Sequence, residues 1–321
     1  MNILAPINDI SLLPELIAAG ADEFFFGFFN EKDPDLFGKY FELNRMSGYG
    51  KYANSFDIES AVTLIKQIST LGKDSYVTIN SSGYTDEALE RVREYIKILV
   101  EAGVTGCIVS CPELLEVVRQ CNGKAVISCI GTAYNEADVR FYQALGATRI
   151  ILPRDLSLSE VSVLKKRIPD MEYEVFAIRN GCILSDGNCL GLHRFEHGGI
   201  CKDIRHSKKH IFAENESVHT AMQSTQDLYD NCLFKHACAA CAIYRMLSIG
   251  ITACKVVGRV DRPEQVIKDI QFIQKNRNIA QTSADEEEFF AKMILPEGYE
   301  SICVNGYSCY FPEIENKRIR S

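Results

Sequence analysis

The chain has 321 residues, 46% of them hydrophobic, which is enough to bury a large core as one barrel-sized domain. Its 35 basic and 43 acidic side chains give a net charge of -8, the wrong sign for a protein that binds nucleic acid by neutralising phosphates. No segment approaches the roughly 20 apolar residues of a membrane span, and the N-terminus lacks the pattern of a signal peptide. We therefore expect a cytoplasmic protein with no membrane contact, and nucleic acid is a disfavoured partner.

Apolar runs of strand length alternate with amphipathic stretches of helical period along most of the chain. The predicted strands are 2–6, 22–28, 75–80, 106–110, 124–130, 149–153, 173–178 and 252–257. The predicted helices are 10–20, 57–72, 86–102, 112–120, 135–145, 158–167, 236–249 and 263–275. Eight βα units predict a closed (β/α)8 barrel, an α/β fold, and no G-x-G-x-x-G follows the first strand to favour a doubly wound sheet. We expect the barrel over 1–280 and a C-terminal extension over 281–321.

Two connections are longer than simple turns and lie where such barrels carry their function. Residues 29–54 follow the second strand and are a candidate lid. The segment 182–241 follows the seventh strand and holds all six histidines and six of the thirteen cysteines. Because loops after strand C-termini form the active face of a (β/α)8 barrel, we expect the chemistry of this protein there.

The cysteines of the second segment favour a metal centre, since a reducing compartment keeps disulfides open. They are Cys182, Cys189, Cys201, Cys232, Cys238 and Cys241. The C-x-x-C pair at 238 and 241 puts two thiols on one helical face. An iron–sulfur cluster and a tetrahedral zinc ion both suit such a set. The cysteines inside apolar strands, Cys107, Cys129 and Cys254, are predicted to be small core residues.

Several runs resemble peptidase family U32, and the match spans nearly the whole barrel. EVFAIRNGCILSDGNC is similar to the family's strand-seven signature, and HGGICKDIR is similar to its Asn-Arg-Gly-x-Cys segment. GITACKVVGR is similar to the family's Lys-Ile-Glu-Gly-Arg strand, and ILAP, AGADEFFFG and NEADVRFYQALGATRIILPRDLSLSEV also match. The short chain resembles the single-barrel members of the family.

The resemblance carries expectations about activity and cofactor. Members bear the name peptidase or collagenase-like protease, but the better understood ones bind a [4Fe–4S] cluster on four cysteines. Those members serve in oxygen-independent hydroxylation of ubiquinone precursors or of RNA bases, the RNA enzymes with prephenate as oxygen donor. By this resemblance Cys182, Cys189, Cys201 and Cys238 hold a [4Fe–4S] cluster. Cys238 is preferred to Cys232 and Cys241 because it keeps the family's distance to the strand-eight lysine.

Departures from the family pattern affect the pocket and not the expected ligands. The Glu of the family's Lys-Ile-Glu-Gly-Arg strand is Val257 here, and the run SCIGTA replaces a His-x-Ser-Thr-Gln run. Arg-Asn-Gly also replaces Gly-Ala-Leu before Cys182. We therefore expect a substrate different from those of known members.

Polar residues at the predicted strand ends are candidates for substrate binding. They are Asn80, Arg154, Arg179 and Arg259, and the arginines suit a carboxylate. Ordinary ion pairs, Arg154 with Asp155 and Arg259 with Asp261, are the competing interpretation. The loop residues Asn44 and Arg45 match the family's Asn-x-Arg region and are expected to close over the pocket.

Three functions remain open on the sequence. The first is an oxygen-independent hydroxylase or related redox enzyme acting on a small anionic organic molecule. The second is a peptidase, although the chain has no H-E-x-x-H and no G-x-S-x-G. The third is a non-catalytic cluster protein that serves as a partner subunit of another protein.

Overall fold

A computed structural model of the chain describes residues 1–29, 43–81, 83–182, 184–189, 220, 235–304, 306 and 308–319. Within these ranges eight parallel strands close into one barrel in chain order, with the first strand paired to the eighth. The strands are β1 (Asn2–Pro6), β2 (Glu23–Phe26), β3 (Asp74–Ile79), β4 (Gly106–Val109), β5 (Ala125–Ile127), β6 (Ala147–Ile151), β7 (Glu172–Ile178) and β8 (Ala253–Val256). The predicted (β/α)8 fold is confirmed.

One helix follows each strand and covers the outside of the barrel. These helices are α1 (Leu13–Ala19), α2 (Ile58–Thr70), α3 (Asp86–Glu101), α4 (Pro112–Gln120), α5 (Glu136–Ala144), α6 (Leu158–Arg167), α7 (Ile243–Ile249) and α8 (Pro263–Thr282). Capping boxes begin α5, at Asn135 and Asp138, and α6, at Ser157 and Glu160. Each satisfies backbone N–H groups that the first turn leaves without partners. Within the described ranges no helix is long and apolar enough to cross a bilayer.

Several elements differ from their predicted bounds, and α7 begins at Ile243, seven residues after its predicted start at 236, so Cys238 and Cys241 precede the helix. β5 ends at Ile127, three residues before the prediction, because the chain turns into a 3₁₀ segment at Cys129–Gly131. Gly131 permits this turn, since a Cβ there would lie 2.6 Å from the Ile127 side chain. α8 continues to Thr282, seven residues beyond the predicted end.

A buried ion network lies among four strands of the barrel. The Arg149 guanidinium is 2.6 Å from the Glu23 carboxylate and 3.6 Å from that of Glu174. Lys255 lies 3.1 Å from Glu174, with its ammonium 3.9 Å from the Phe25 ring centre. Lys255, which lies in the apolar strand β8, thus forms an ion pair with the buried Glu174.

The residues after α8 pack against the side of the barrel. They include α9 (Glu286–Lys292) and α10 (Tyr299–Ile302). Cys309 forms a parallel bridge with Cys238, and the Glu313 carboxylate accepts a hydrogen bond of 2.7 Å from Leu158 N at the start of α6. This extension therefore covers the region between β7, α6 and α7.

Candidate active site at the barrel mouth

The carboxyl ends of the strands bring polar side chains together at one end of the barrel, called the mouth here. Asn80 follows β3, Cys129 follows β5, Arg154 follows β6 and Arg259 follows β8. Asn80 Nδ2 donates to Ser128 Oγ at 3.0 Å, and its Oδ1 accepts from Arg45 N at 3.3 Å. This is the end of the fold on which (β/α)8 enzymes carry their active sites.

Arg259 is buried at the mouth without a carboxylate partner among the described residues. Only 8% of the residue is exposed, and its guanidinium donates to Thr78 Oγ1 at 2.8 Å, Asn54 Oδ1 at 3.2 Å and Asn44 Oδ1 at 3.5 Å. Burial, and then the charge of Arg45, lower the pKa of Arg259 to about 9. A buried cation held only by neutral groups is unfavourable, and a bound anion would relieve it.

The residues 43–54, called the mouth segment here, lie over this arginine. Asn44 Nδ2 donates to Asn54 Oδ1 at 2.8 Å, and Asn54 Nδ2 donates to the Met46 and Gly50 carbonyls at 3.1 and 3.2 Å. The Tyr84 hydroxyl donates to the Leu43 carbonyl at 2.6 Å. The expected position of Asn44 and Arg45 over the barrel is observed, whereas residues 30–42 of the candidate lid lie outside the described ranges.

Gly27, just after β2, makes room for this arrangement. A Cβ at Gly27 would lie 2.0 Å from Asn54 Oδ1 and 2.3 Å from Arg259 Nη1. Any larger residue would displace both side chains, so the glycine is required by close approach of the mouth segment to Arg259.

Asp186 joins the two other arginines of the mouth. Its Oδ1 is 2.6 Å from Arg154 Nη1 and 3.7 Å from Arg45 Nη1, and its Oδ2 accepts from Arg154 N at 2.9 Å. Burial opposes ionisation, but the charges of Arg154 and Arg45 hold the pKa of Asp186 below its usual range. Arg259, the third arginine of the mouth, has no such ion pair among the described residues.

Two thiols contact the same arginines. Arg45 Nη2 donates to Cys189 Sγ at 3.2 Å, and Arg45 Nη1 lies 3.6 Å from Cys129 Sγ. Cys129 Sγ also donates to Asp186 Oδ1 at 3.4 Å. Burial and the Asp186 charge raise the pKa of Cys129 to about 11, which keeps this thiol protonated. Cys129 is buried in the core, as predicted, but it follows β5 instead of lying inside the strand, and its thiol contacts charged groups of the mouth. Its place in SCIGTA, at a strand end, is the signal that identifies it.

Arg154 and Arg179 occupy different surroundings. Arg154 pairs with Asp186, not with the neighbouring Asp155, and its guanidinium lies 3.5 Å from the Phe176 ring centre. Arg179 Nε is 2.5 Å from Asp269 Oδ2 of α8, and its Nη1 donates to the Lys235 carbonyl at 2.8 Å. The structure thus brings Asn80, Arg154 and Arg259 to the mouth. The guanidinium of Arg179 is instead held by Asp269 of α8.

The expected cluster ligands fall into two environments. Cys182 and Cys189 flank the loop that carries Asp186, and burial raises the pKa of Cys182 while Arg154 and Arg45 oppose the shift. Cys238 lies at the start of the α7 region, beside Cys309. Cys201 and Cys232 lie outside the described residues. In the part of the chain that is described, no three Cys, His, Asp or Glu side chains are arranged to hold a metal ion.

The thiols of the mouth nevertheless suit a cluster chemically. The charges of Arg154 and Arg45 oppose the burial that raises the pKa of Cys182, and Arg45 donates to Cys189 Sγ. Cys182 and Cys189 would be the ligands facing the mouth.

Comparisons with known proteins agree on the family. The profile of Peptidase family U32 matches residues 8–317. The tRNA hydroxylation protein P of Escherichia coli is 35% identical over 43% of this chain and 30% of its own length. The tRNA hydroxylation proteins P1 and P2 of Bacillus subtilis are 25% and 23% identical over 89% of this chain, which is 65% and 88% of their own lengths. The chain thus spans about a third of the Escherichia coli protein and two thirds of P1, and most of P2.

A solved U32 peptidase superposes with a TM-score of 0.39 at 15% identity, over 56% of this chain and 69% of that one. The profile match covers nearly the whole sequence, from before α1 into the C-terminal extension. This chain belongs to peptidase family U32.

Proposed function

We propose that this protein is a cluster-dependent hydroxylase, or a closely related redox enzyme, that binds a small organic anion at the barrel mouth. The observation that carries the proposal is Arg259, a buried guanidinium with only neutral partners among the described residues. The names of its relatives, tRNA hydroxylation proteins, support hydroxylation as the type of reaction.

The mouth has the groups that a carboxylate needs. Arg259 and Arg45 repel one another across the same space, so an anion between them would be stabilised by both charges. Arg45 comes from the mouth segment, and Asn80 fixes its backbone. Binding of the anion and closure of the segment would therefore favour each other.

Cys182 and Cys189 would hold the [4Fe–4S] cluster beside this anion, with Cys201 and Cys238 as the other ligands expected from the family pattern. A bound cluster would supply one-electron redox chemistry next to the substrate. Asp186 keeps Arg154 and Arg45 in fixed positions near these thiols, so it would orient the charged groups of the site. Zinc on the same thiols is the alternative cofactor.

Proteolysis finds less support in the mouth. Hydrolysis needs an activated nucleophile or water, and burial raises the pKa of the Cys129 thiol, which opposes nucleophilic use. The hypothesis of a partner subunit without activity of its own is also disfavoured. A buried Arg259 without a carboxylate partner among the described residues is unfavourable unless the site binds an anion.

RNA is the second candidate substrate, and the names of the relatives favour it. The net charge of -8 opposes it, so we keep the prediction that nucleic acid is not the substrate. In a tRNA enzyme, the anion at Arg259 would be a co-substrate and not the molecule that is hydroxylated.

The test of the reaction compares anaerobic holoprotein with its Cys189→Ala variant. Each is incubated with a set of small carboxylates, with unmodified tRNA, and with casein and gelatin. With water as the oxygen source and an added two-electron acceptor as the oxidant, we expect a gain of one oxygen on a small molecule, by mass spectrometry, that the variant lacks. Modified tRNA would favour the second candidate, and equal proteolysis by both proteins would restore the peptidase interpretation.

The test of the cofactor is the iron and sulfide content of anaerobically purified variants. We expect a mouth cluster to contribute roughly four iron and four sulfide per chain, and Cys182→Ala and Cys189→Ala to lose them. Cys107→Ala removes a fully buried thiol of β4 and should retain the metal. Zinc without sulfide in the wild-type protein would contradict the cluster.

A further inference from the structure

A cavity of about 520 Å³ opens at the amino ends of the strands, at the end of the barrel opposite the mouth. It is called the lower cavity here, and it is lined by residues at, or directly before, the start of every strand. Its volume is that of a site for a small organic molecule. We infer that the lower cavity binds a small organic dication, of the kind that a linear diamine provides.

The buried ion network of the barrel forms the inner wall of this cavity. Arg149 is shared by three carboxylates, those of Glu23 at 2.6 Å, Glu172 at 2.7 Å and Glu174 at 3.6 Å. Lys255 compensates Glu174, and neither of these two residues lines the cavity. Arg149 therefore faces two carboxylates of the lower cavity, Glu23 and Glu172, and can neutralise only one of them.

Two more carboxylates add to this negative charge. Asp74, at the start of β3, accepts a hydrogen bond of 2.9 Å from Thr105 Oγ1, and Asp170 lies directly before β7. Neither has an ion-pair partner among the described residues. The lining thus contains four carboxylates but two basic groups, Arg149 and the exposed Lys124. This excess of negative charge favours a cationic ligand.

The hydroxyl of Tyr76 is a separate indication of a ligand. Tyr76 is 5% exposed and lines the cavity, with the Arg149 guanidinium 4.8 Å from its ring centre. Its hydroxyl has no hydrogen-bond partner in the part of the chain that the structure describes. Burial, and then the charge of Glu23, raise the pKa of Tyr76, so the hydroxyl stays protonated. A buried hydroxyl without a partner is unfavourable, and an ammonium group of a ligand could donate to its oxygen.

The positions of the carboxylates favour a ligand with a positive charge at each end. Asp74 and Tyr76 are two residues apart on β3, so their side chains lie on the same face of the strand. Glu172 begins β7, which lies across the closed barrel from β3. No three Cys, His, Asp or Glu side chains of the described residues are arranged to hold a metal ion. Separated carboxylates suit an extended dication better than one metal ion.

The test is calorimetric titration of the full chain with putrescine, a four-carbon diamine, at low ionic strength. Butylamine has one of its two ammonium groups, and 1,4-butanediol has neither. We expect putrescine to bind the wild-type protein, butylamine to bind at least about 10-fold more weakly, which corresponds to the loss of one charged hydrogen bond, and butanediol not to bind. No binding of putrescine, or equal affinities for putrescine and butylamine, would overturn the proposed site.

Three variants locate the binding of putrescine in the lower cavity. Asp74→Asn and Glu172→Gln should each lower the affinity by about 10-fold, and Tyr76→Phe, which removes only the hydroxyl, by about 3- to 10-fold. Glu287→Gln makes the same change of charge at an exposed position of α9 and should bind as wild type does. Putrescine does not need the mouth, so Arg259→Gln should also bind it normally. Wild-type affinity in all three cavity variants would overturn the proposal.

Hydrogen exchange of the wild-type protein covers the case in which a variant does not fold. Peptides that include residues 74–76 and 170–172 are followed by mass spectrometry with and without saturating putrescine. We expect backbone amides of both peptides to exchange more slowly when putrescine is bound, while those of α9, at 286–292, exchange equally in the two samples. Unchanged exchange at both cavity peptides would refute the assignment of the site to the lower cavity.

Discussion

Two buried arginines of the barrel show how neighbouring residues decide the role of a charge. Arg149 is 4% exposed and pairs with Glu23 and Glu174, whereas Arg259 is 8% exposed and meets neutral oxygens. A buried charge with an ion-pair partner has a structural role. A buried charge without one carries an unfavourable desolvation free energy, which binding of an opposite charge can offset. The sequence placed Arg259 at a strand end, but only the structure distinguishes it from an ordinary ion pair with Asp261.

Substituting each arginine by Gln should therefore have different effects on the free energy of unfolding. Arg149→Gln leaves two carboxylates buried together and should cost about 3–5 kcal/mol. Arg259→Gln removes a desolvated charge together with its hydrogen bonds, so we expect a change of no more than about 1.5 kcal/mol. Urea titration of the ligand-free proteins measures both values. Equal losses would mean that Arg259 is a structural residue.

Asp186 should stabilise the fold with a characteristic pH dependence. Asp186→Asn leaves Arg154 and Arg45 without their carboxylate and should cost about 3–5 kcal/mol at pH 7. Because the folded pKa lies below the ordinary value of 3.8, this contribution is present above pH 3.8 and is lost as the pH falls through the folded pKa. Urea unfolding between pH 8 and 3 measures it.

The exposed Asp155, which accepts a hydrogen bond from Ser185 Oγ at 2.8 Å, provides the control. Asp155→Asn should change stability by no more than about 0.5 kcal/mol. A difference between wild type and Asp186→Asn that disappears already at pH 6 would show that another group is titrating.

At the scale of elements, the mouth segment and the strand ends build the site jointly. The alternation of strands and helices could be predicted because the spacing of apolar residues and the helix-capping residues indicate the same elements along the chain. The position of the mouth segment could not be predicted, because it depends on contacts of Asn44 and Asn54 with Arg259, which is far from both in sequence. β5 was predicted too long for a similar reason, since its apolar run continues past the turn at Cys129–Gly131.

Gly27→Ala tests the coupling between these elements. Its Cβ would overlap Asn54 and Arg259, so we expect a loss of about 1–3 kcal/mol in stability and weaker anion binding. Gly83→Ala, where a Cβ meets nothing within 4 Å, is the matched control in the loop after β3 and should behave as wild type. Thermal unfolding with and without a bound carboxylate measures both effects. An unchanged Gly27→Ala protein would show that the mouth segment is not packed on Arg259.

At the scale of the whole molecule, the barrel and the family could be predicted from the sequence, and the surroundings of the cysteines could not. Thiols are small and apolar enough to occur anywhere in a core, so spacing alone does not separate ligands from packing residues. Cys129 is both, since it is buried in the core and its thiol contacts Arg45 and Asp186. Cys303 and Cys309 stayed unassigned because only the folded extension brings them to Cys238.

The central claim is that the mouth binds a small organic anion through Arg259, and calorimetric titration tests it most directly. Anaerobic wild-type protein and the variants Arg259→Gln and Arg179→Gln are titrated with mono- and dicarboxylates at low ionic strength. We predict that at least one carboxylate binds the wild-type protein. Arg259→Gln should lower the affinity for this carboxylate by about 10- to 100-fold, which corresponds to the loss of a hydrogen bond to a charged group. Arg179→Gln, whose guanidinium is held by Asp269, should bind as wild type does. Equal affinity of wild type and Arg259→Gln for every carboxylate bound would contradict the account.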